Sequence, residues 1–187
     1  GVWRGPRGPV CSSEERAGLQ GGWRGRLATT EALAAVFSDA AILSAMLEFE
    51  VALARGEARL GLIPRTAAEA ISAAAVPDAF DVATIARTAR ASGTIAIPFV
   101  DRLRDRVRAI DANAAVFVHW GATSQDVCDT ALVLCLTRAR PLLAADHVRI
   151  TTALRRLSDQ HPNTVMLART LLQPAPPALA GDGRRRR

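Results

Sequence analysis

Apolar and polar positions recur along most of this chain with the three-to-four-residue period of helices. The first 25 residues are the exception: rich in Gly, Arg and Trp and without either period, they read as a disordered tail. From Arg26 the pattern changes. Thr29 and Thr30 can cap a short helix, and a second begins near Ser38-Asp39. In that second helix Ile42, Met46, Phe49 and Leu53 recur at spacings of 4, 3 and 4, an apolar stripe that predicts a helix to Leu60. Gly61 and Pro64 end it. Thr66-Ala67-Ala68-Glu69 has the form of a capping box and predicts the next helix.

Two more helices are expected at about 81–91 and 98–110, the latter with Arg102, Asp105, Arg106 and Arg108 as a solvated face. The longest should run from near Ser124 towards Ser158 on a stripe of Cys128, Leu132, Cys135, Ala139 and Leu142. Pro141 lies inside it and predicts a kink or a break. After Gln160-His161-Pro162 a short extended piece around 164–169 is expected, and from Pro174 the chain is Pro/Gly-rich. No internal repeat is visible. These elements add up to an all-α fold.

Composition narrows this further. The chain has 187 residues and is 49% hydrophobic but only 4% aromatic, so its core must be built largely from Ala, Leu, Ile and Val. The formal charge is +6, with a pI near 11.0 and every basic residue an Arg. That balance raises nucleic acid as a partner. The charge is concentrated at the ends, however: residues 1–25 contribute +2 and residues 182–187 contribute +3, leaving +1 for the body. No nucleic-acid partner is therefore expected. Three cysteines without framework spacing argue against a disulfide-stapled secreted domain and for a reduced, cytoplasmic setting. Cys128 and Cys135, seven apart on one predicted helix, are separated by roughly 10 Å along its axis, too far to bridge. No apolar run approaches the length of a membrane span, and no signal-peptide stretch opens the chain, so no membrane partner is expected.

The segment with chemistry is Val118-His119-Trp120-Gly121-Ala122-Thr123-Ser124-Gln125-Asp126-Val127-Cys128-Asp129-Thr130. A loop ending in Gly delivers two hydroxyls, Thr123 and Ser124, to the first turn of the long helix. That turn has free N–H groups and the positive end of the helix dipole, which suits a carboxylate or phosphate. His119 just upstream can donate to the same anion or shuttle a proton. On the plainer reading Thr123 or Ser124 is an N-cap, His119 a packed loop residue, and Asp126 and Asp129 first-turn partners of the dipole. His119, His147 and His161 are too scattered for a zinc site, so no metal and no organic cofactor are expected.

Taken whole, His119-Trp120-Gly121-Ala122-Thr123-Ser124-Gln125-Asp126-Val127-x-Asp129-Thr130 resembles the first signature region of the fumarase/aspartase superfamily, in the wording of its cycloisomerase branch. Ser92-Gly93-Thr94-Ile95-Ala96-Ile97-Pro98-Phe99-Val100 is similar to the Gly-Asn-Pro-Ala-Ile-Pro-Leu-Val stretch of those cycloisomerases, with Thr94 where Asn is usual. Ala168-Arg169-Thr170-Leu171-Leu172-Gln173-Pro174-Ala175 resembles the second signature; Leu171 stands where fumarases and related lyases carry a functional His, as in the cycloisomerases, which also lack it. The resemblance covers about Arg26 to Pro176.

It implies residues 26–115 as an N-terminal helical domain and 116–176 as the start of the central helical domain with both signatures, flanked by family-unlike tails at 1–25 and 177–187. It also implies lactonisation of 3-carboxy-cis,cis-muconate, in the protocatechuate branch of aromatic degradation. One carboxylate attacks a double bond, a proton goes to the adjacent carbon, and the non-attacking carboxylate is held by many donors. Thr123 and Ser124 are the expected grip on this small tricarboxylate, with His119 as candidate catalytic residue and Thr170 and Gln173 lining the site. Family members are homotetramers whose third signature, a Ser-containing loop, is missing from this Lys-free chain. A truncation or frame error, little turnover alone, and self-association or aggregation are therefore expected. The alternatives are another lyase of the superfamily, such as an adenylosuccinate lyase, or a non-catalytic helical interaction module.

Overall fold

Ser38 and Thr30 act as the sequence suggests. In the structure, a computed structural model that describes residues 29–170 and 173–179, each accepts a hydrogen bond from a backbone N–H three residues on. They open helices α1 (Glu31–Val36) and α2 (Asp39–Arg59). Helices α3 (Arg65–Ala74), α4 (Val82–Ser92) and α5 (Ala96–Ile110) follow. A 3-10 turn (Ala114–Phe117) then leads to the long α6 (Ser124–Gln160). The terminal segments, including the predicted disordered tail at 1–25 and the Arg run at 184–187, lie outside the described residues.

By contacts the chain divides into two units, Gly1–Cys135 and Leu136–Arg187. In the first, α2 packs on α3, α3 on α5, and α5 on α4. The core is Ala-rich, as the composition requires: Ala45, Ala67, Ala74, Ala96, Ala114 and Ala131 are each 2% exposed or less, around Phe99, Met46, Ile71 and Leu103. Val127, Ala131 and Cys135, from the first turns of α6, belong to the same core. The second unit holds the remainder of α6 and an antiparallel hairpin of β1 (Val165–Thr170) and β2 (Gln173–Leu179), paired from Val165↔Leu179 to Thr170↔Gln173 with an irregularity between Leu167 and Arg169. Helices thus build the body of the fold, with this hairpin as an addition.

Several local expectations need correction. On α2 the predicted stripe holds in part: Met46 is buried and Ile42 and Phe49 pack against the core, but the fully buried line runs through Leu43, Leu47, Glu50, Ala54 and Glu57. Thr66 is not a cap: Pro64 takes that position with no side-chain hydrogen bond, and its carbonyl accepts from Ala67 and Ala68. Arg106 is not on a solvated face. Its Nε donates to the Ala74 carbonyl at 3.0 Å and its Nη1 to Ala79 at 3.4 Å, with the guanidinium 5.2 Å above the Phe80 ring. It therefore ties α5 to the end of α3. On α6 Cys135 and Ala139 of the predicted stripe are buried, together with Val127 and Ala131, whereas Leu132 is half-exposed. Of the kink or break expected at Pro141, the break does not occur: α6 is continuous through it. The extended piece near 164–169 is present as β1, but its partner β2, with three prolines, was not anticipated. Proline cannot donate to a ladder and is tolerated there because a two-stranded hairpin consists of edges.

Candidate functional site

The loop between the 3-10 turn and α6 is shaped residue by residue. Val118 is anchored in the core at 3% exposure. His119 then turns into the left-handed region with φ 60, among the described residues the one non-Gly position that does so. Trp120 points outward, half-exposed, with its ring 5.7 Å from that of Phe117. Gly121 is left-handed again at φ 68, where the absence of a Cβ removes the conformational penalty. Thr123 then caps α6. Two left-handed residues two apart reverse the chain sharply enough to bring His119 back over α2.

What lies beneath on α2 is two carboxylates. His119 Nδ1 is 2.6 Å from Glu50 Oε1, a pair with side chains 13% and 1% exposed. One helical heptad on, Glu57 lies under the loop: a Cβ built on Gly121 would stand 3.9 Å from its Oε1. Burial, and after it the neighbouring Glu50 charge, pushes the Glu57 carboxyl above the usual range. The second oxygen of each, Oε2, is buried without a hydrogen-bond partner among the described residues.

The start of α6 is a capping box with Asp in the third position. The Asp126 Oδ2 accepts from the Thr123 N–H at 2.7 Å and from its hydroxyl at 2.8 Å. The backbone bond, then the hydroxyl, then the nearby His119 hold the Asp126 carboxyl below its usual range. Gln125 similarly donates to Asp129 at 2.6 Å. The Thr123 donors are thus engaged within the helix start, as in the plainer of the two sequence readings. The Ser124 hydroxyl, half-buried one residue on, makes no side-chain hydrogen bond among the described residues.

His119, Thr123 and Ser124 are therefore brought together at one loop–helix junction. Thr170 and Gln173 pair with each other at the end of the hairpin in the second unit; their side chains lie outside the described residues. His147 and His161 are exposed. Among the described residues no group of His, Cys, Asp or Glu could hold a metal ion, and no helix is long and apolar enough to cross a membrane. Cys128 and Cys135 are free thiols. Sequence reasoning missed Glu50 and Glu57. The available signal was their position: they fall in the heptad line of Leu43, Leu47 and Ala54, where a carboxylate is out of place unless something is built to meet it.

Comparison with known proteins defines the class first. Residues 25–182 match the family model described as Lyase, and the chain belongs to that family of the fumarase/aspartase superfamily. Among individual proteins it is similar to 3-carboxy-cis,cis-muconate cycloisomerase of Bradyrhizobium diazoefficiens, 46% identical over 149 residues, covering 80% of this chain and 33% of that protein. Nitrosuccinate lyase of Streptomyces davaonensis is also 46% identical, over 147 residues, covering 79% of this chain and 31% of that protein. The crystal structure of the 3-carboxy-cis,cis-muconate lactonizing enzyme from Pseudomonas putida superposes with a TM-score of 0.71 at 40% identity, covering 82% of this chain and 35% of that one. The chain spans about a third of the length of the curated relatives it matches.

Proposed function

We propose that this chain carries the first two signature regions of a cycloisomerase that lactonises 3-carboxy-cis,cis-muconate in aromatic-acid degradation. The observation that supports this most is the 46% identity to the Bradyrhizobium cycloisomerase, which runs through the loop that seats His119 on α2. In this reading a substrate carboxylate meets the first turn of α6, where the Ser124 hydroxyl and the helix dipole favour negative charge. Thr123 shapes that turn through Asp126 and adds its hydroxyl when the capping bond is exchanged for substrate. His119 donates to the same carboxylate or moves a proton, and Thr170 and Gln173 are the substrate-binding positions of the second signature. Donors aimed at the non-attacking carboxylate are worth most in the transition state, where enolate-like charge develops on it. The reaction proposed needs no metal or organic cofactor. The working assembly is a cytoplasmic homotetramer in which other segments complete the site, so the 187-residue chain alone turns over little substrate and self-associates.

Nitrosuccinate lyase supports a second reading, elimination from a substituted succinate, at the same 46% identity. One experiment separates them. Residues 25–182 are grafted in place of the corresponding segment of the Bradyrhizobium enzyme and offered both substrates. Lactonisation of 3-carboxy-cis,cis-muconate, reduced at least tenfold by Ser124→Ala, is the expected result. Turnover of nitrosuccinate alone moves the second reading to the front, and a folded tetramer inert to both sinks the catalytic reading.

A further inference from the structure

Glu50 is the most deeply buried charged group among the described residues, at 1% exposure, and nothing in the reaction above uses it. A carboxylate so placed is costly to keep unless a fixed donor meets it. The donor here is the His119 imidazole, 2.6 Å away and itself mostly covered. An ionised carboxylate can only accept, and the imidazole group that meets such a partner is an N–H. We propose that Glu50 is the positioning residue of His119: it fixes a proton on Nδ1, and thereby makes Nε2 the nitrogen that takes up a proton or meets a polycarboxylate at the start of α6.

Three features of the fold support this assignment. The left-handed turn at His119 brings the ring back over α2, and such a turn at a residue with a Cβ persists only where its surroundings enforce it. The buried Val118 on one side and the left-handed Gly121 on the other hold the turn in place. The Glu50 carboxylate of α2 contacts Nδ1 directly and Asp126 of α6 lies near enough to feel the ring, so a carboxylate already holds the Nδ1 side. A histidine whose tautomer is set from behind by a buried carboxylate presents one defined nitrogen in front, the arrangement that proton transfer needs. The catalytic consequence rests on the proposed function above; the tautomer does not.

The test uses the 187-residue chain labelled with 15N, without substrate, and reads the ring nitrogens of its three histidines in two-bond 1H–15N spectra. At about pH 8.5, well above the ordinary imidazole range, His119 is expected to carry a proton on Nδ1, while exposed His147 and His161 give the ordinary pattern, predominantly protonated on Nε2. Glu50→Leu should move His119 to that ordinary pattern and leave the other two unchanged. Glu50→Gln, which keeps an acceptor, should retain the Nδ1 proton. A bare Nδ1 in the wild-type chain overturns the proposal, as does an Nδ1 proton that survives Glu50→Leu. Should Glu50→Leu fail to fold, the wild-type spectrum decides alone. A grafted enzyme inert to 3-carboxy-cis,cis-muconate with the expected wild-type spectrum defeats the proposed reaction only; a bare Nδ1 in an active enzyme defeats the positioning role only.

Discussion

Glu57 lies on the buried face of α2 at 9% exposure, with one oxygen unpartnered and the Glu50 carboxylate nearby. Its carboxyl is pushed upward, so the folded state holds the proton more tightly than the unfolded chain does. Such a group favours folding below about pH 4, the unfolded glutamate range, and that advantage is lost as pH rises through the folded value. Glu57→Gln removes the titration while keeping size and polarity. The variant should therefore match the wild type near pH 3.5 and exceed it at neutral pH, on the basis of these general values. An unsatisfied buried polar group costs about 1–3 kcal/mol, and the amide relieves only the charged part of it. A gain of about 1 kcal/mol at pH 7 follows, which at this chain length raises Tm by roughly 2–4 °C. Urea unfolding followed by far-UV circular dichroism at a series of pH values measures the difference directly. Acid also affects Asp126 at the start of α6, but that change is common to both proteins and cancels. A variant less stable at pH 7, or a gap independent of pH, would refute the assignment of Glu57 as a strained buried acid.

Other substitutions test the same framework. Gly121→Ala should cost about 1–2 kcal/mol from the left-handed backbone alone, because the added Cβ meets nothing closer than 3.9 Å; a loss much larger in a urea melt would mean that the loop is packed more tightly. Arg106→Ala removes two hydrogen bonds to the Ala74 and Ala79 carbonyls and uncovers Phe80, and should cost about 1–2 kcal/mol, whereas Arg108→Ala, whose partner Asp105 is exposed, should fall below about 1 kcal/mol. Thr123→Ala should lose about 1 kcal/mol of capping. It should also flatten the acid limb of the stability curve: Asp126, held below the usual range by Thr123, contributes stability above the unfolded aspartate value that is lost as pH falls through its folded value.

Helix positions were largely legible because they rest on local chemistry: Thr30, Ser38 and Asp81 each cap the helix that follows them. The junction of His119, Thr123 and Ser124 was legible too, since residues adjacent in sequence at a helix start must be adjacent in space. What escaped was long-range. Glu50 meets His119 across 69 positions, and no local pattern announces such a pairing. The helical period that located α2 also centred its face on Phe49 and Leu53, which are only partly buried; the fully buried line carries two acids, which a hydrophobic stripe cannot register. Arg106 looked like one of several surface arginines, and only the neighbouring helix end supplies the carbonyls that draw it in. The second strand was hidden by prolines that normally argue against a ladder.

The predominance of alanine where helices meet also sets how this chain responds to mutational drift. In a core of Leu and Phe the damaging changes are those that shrink a side chain and leave a void. Here Ala45, Ala74 and Ala96 are covered on all sides at 1% exposure or less, so the damaging changes are those that enlarge one. Every alanine codon becomes a valine codon through a single C-to-T transition, and two added methyl groups at a filled site cost about 1–3 kcal/mol. Tolerance should therefore run in opposite directions across a saturation library: Met46 and Leu103 lose stability as volume is removed, while alanines at helix crossings admit Gly or Ser and lose stability as volume is added.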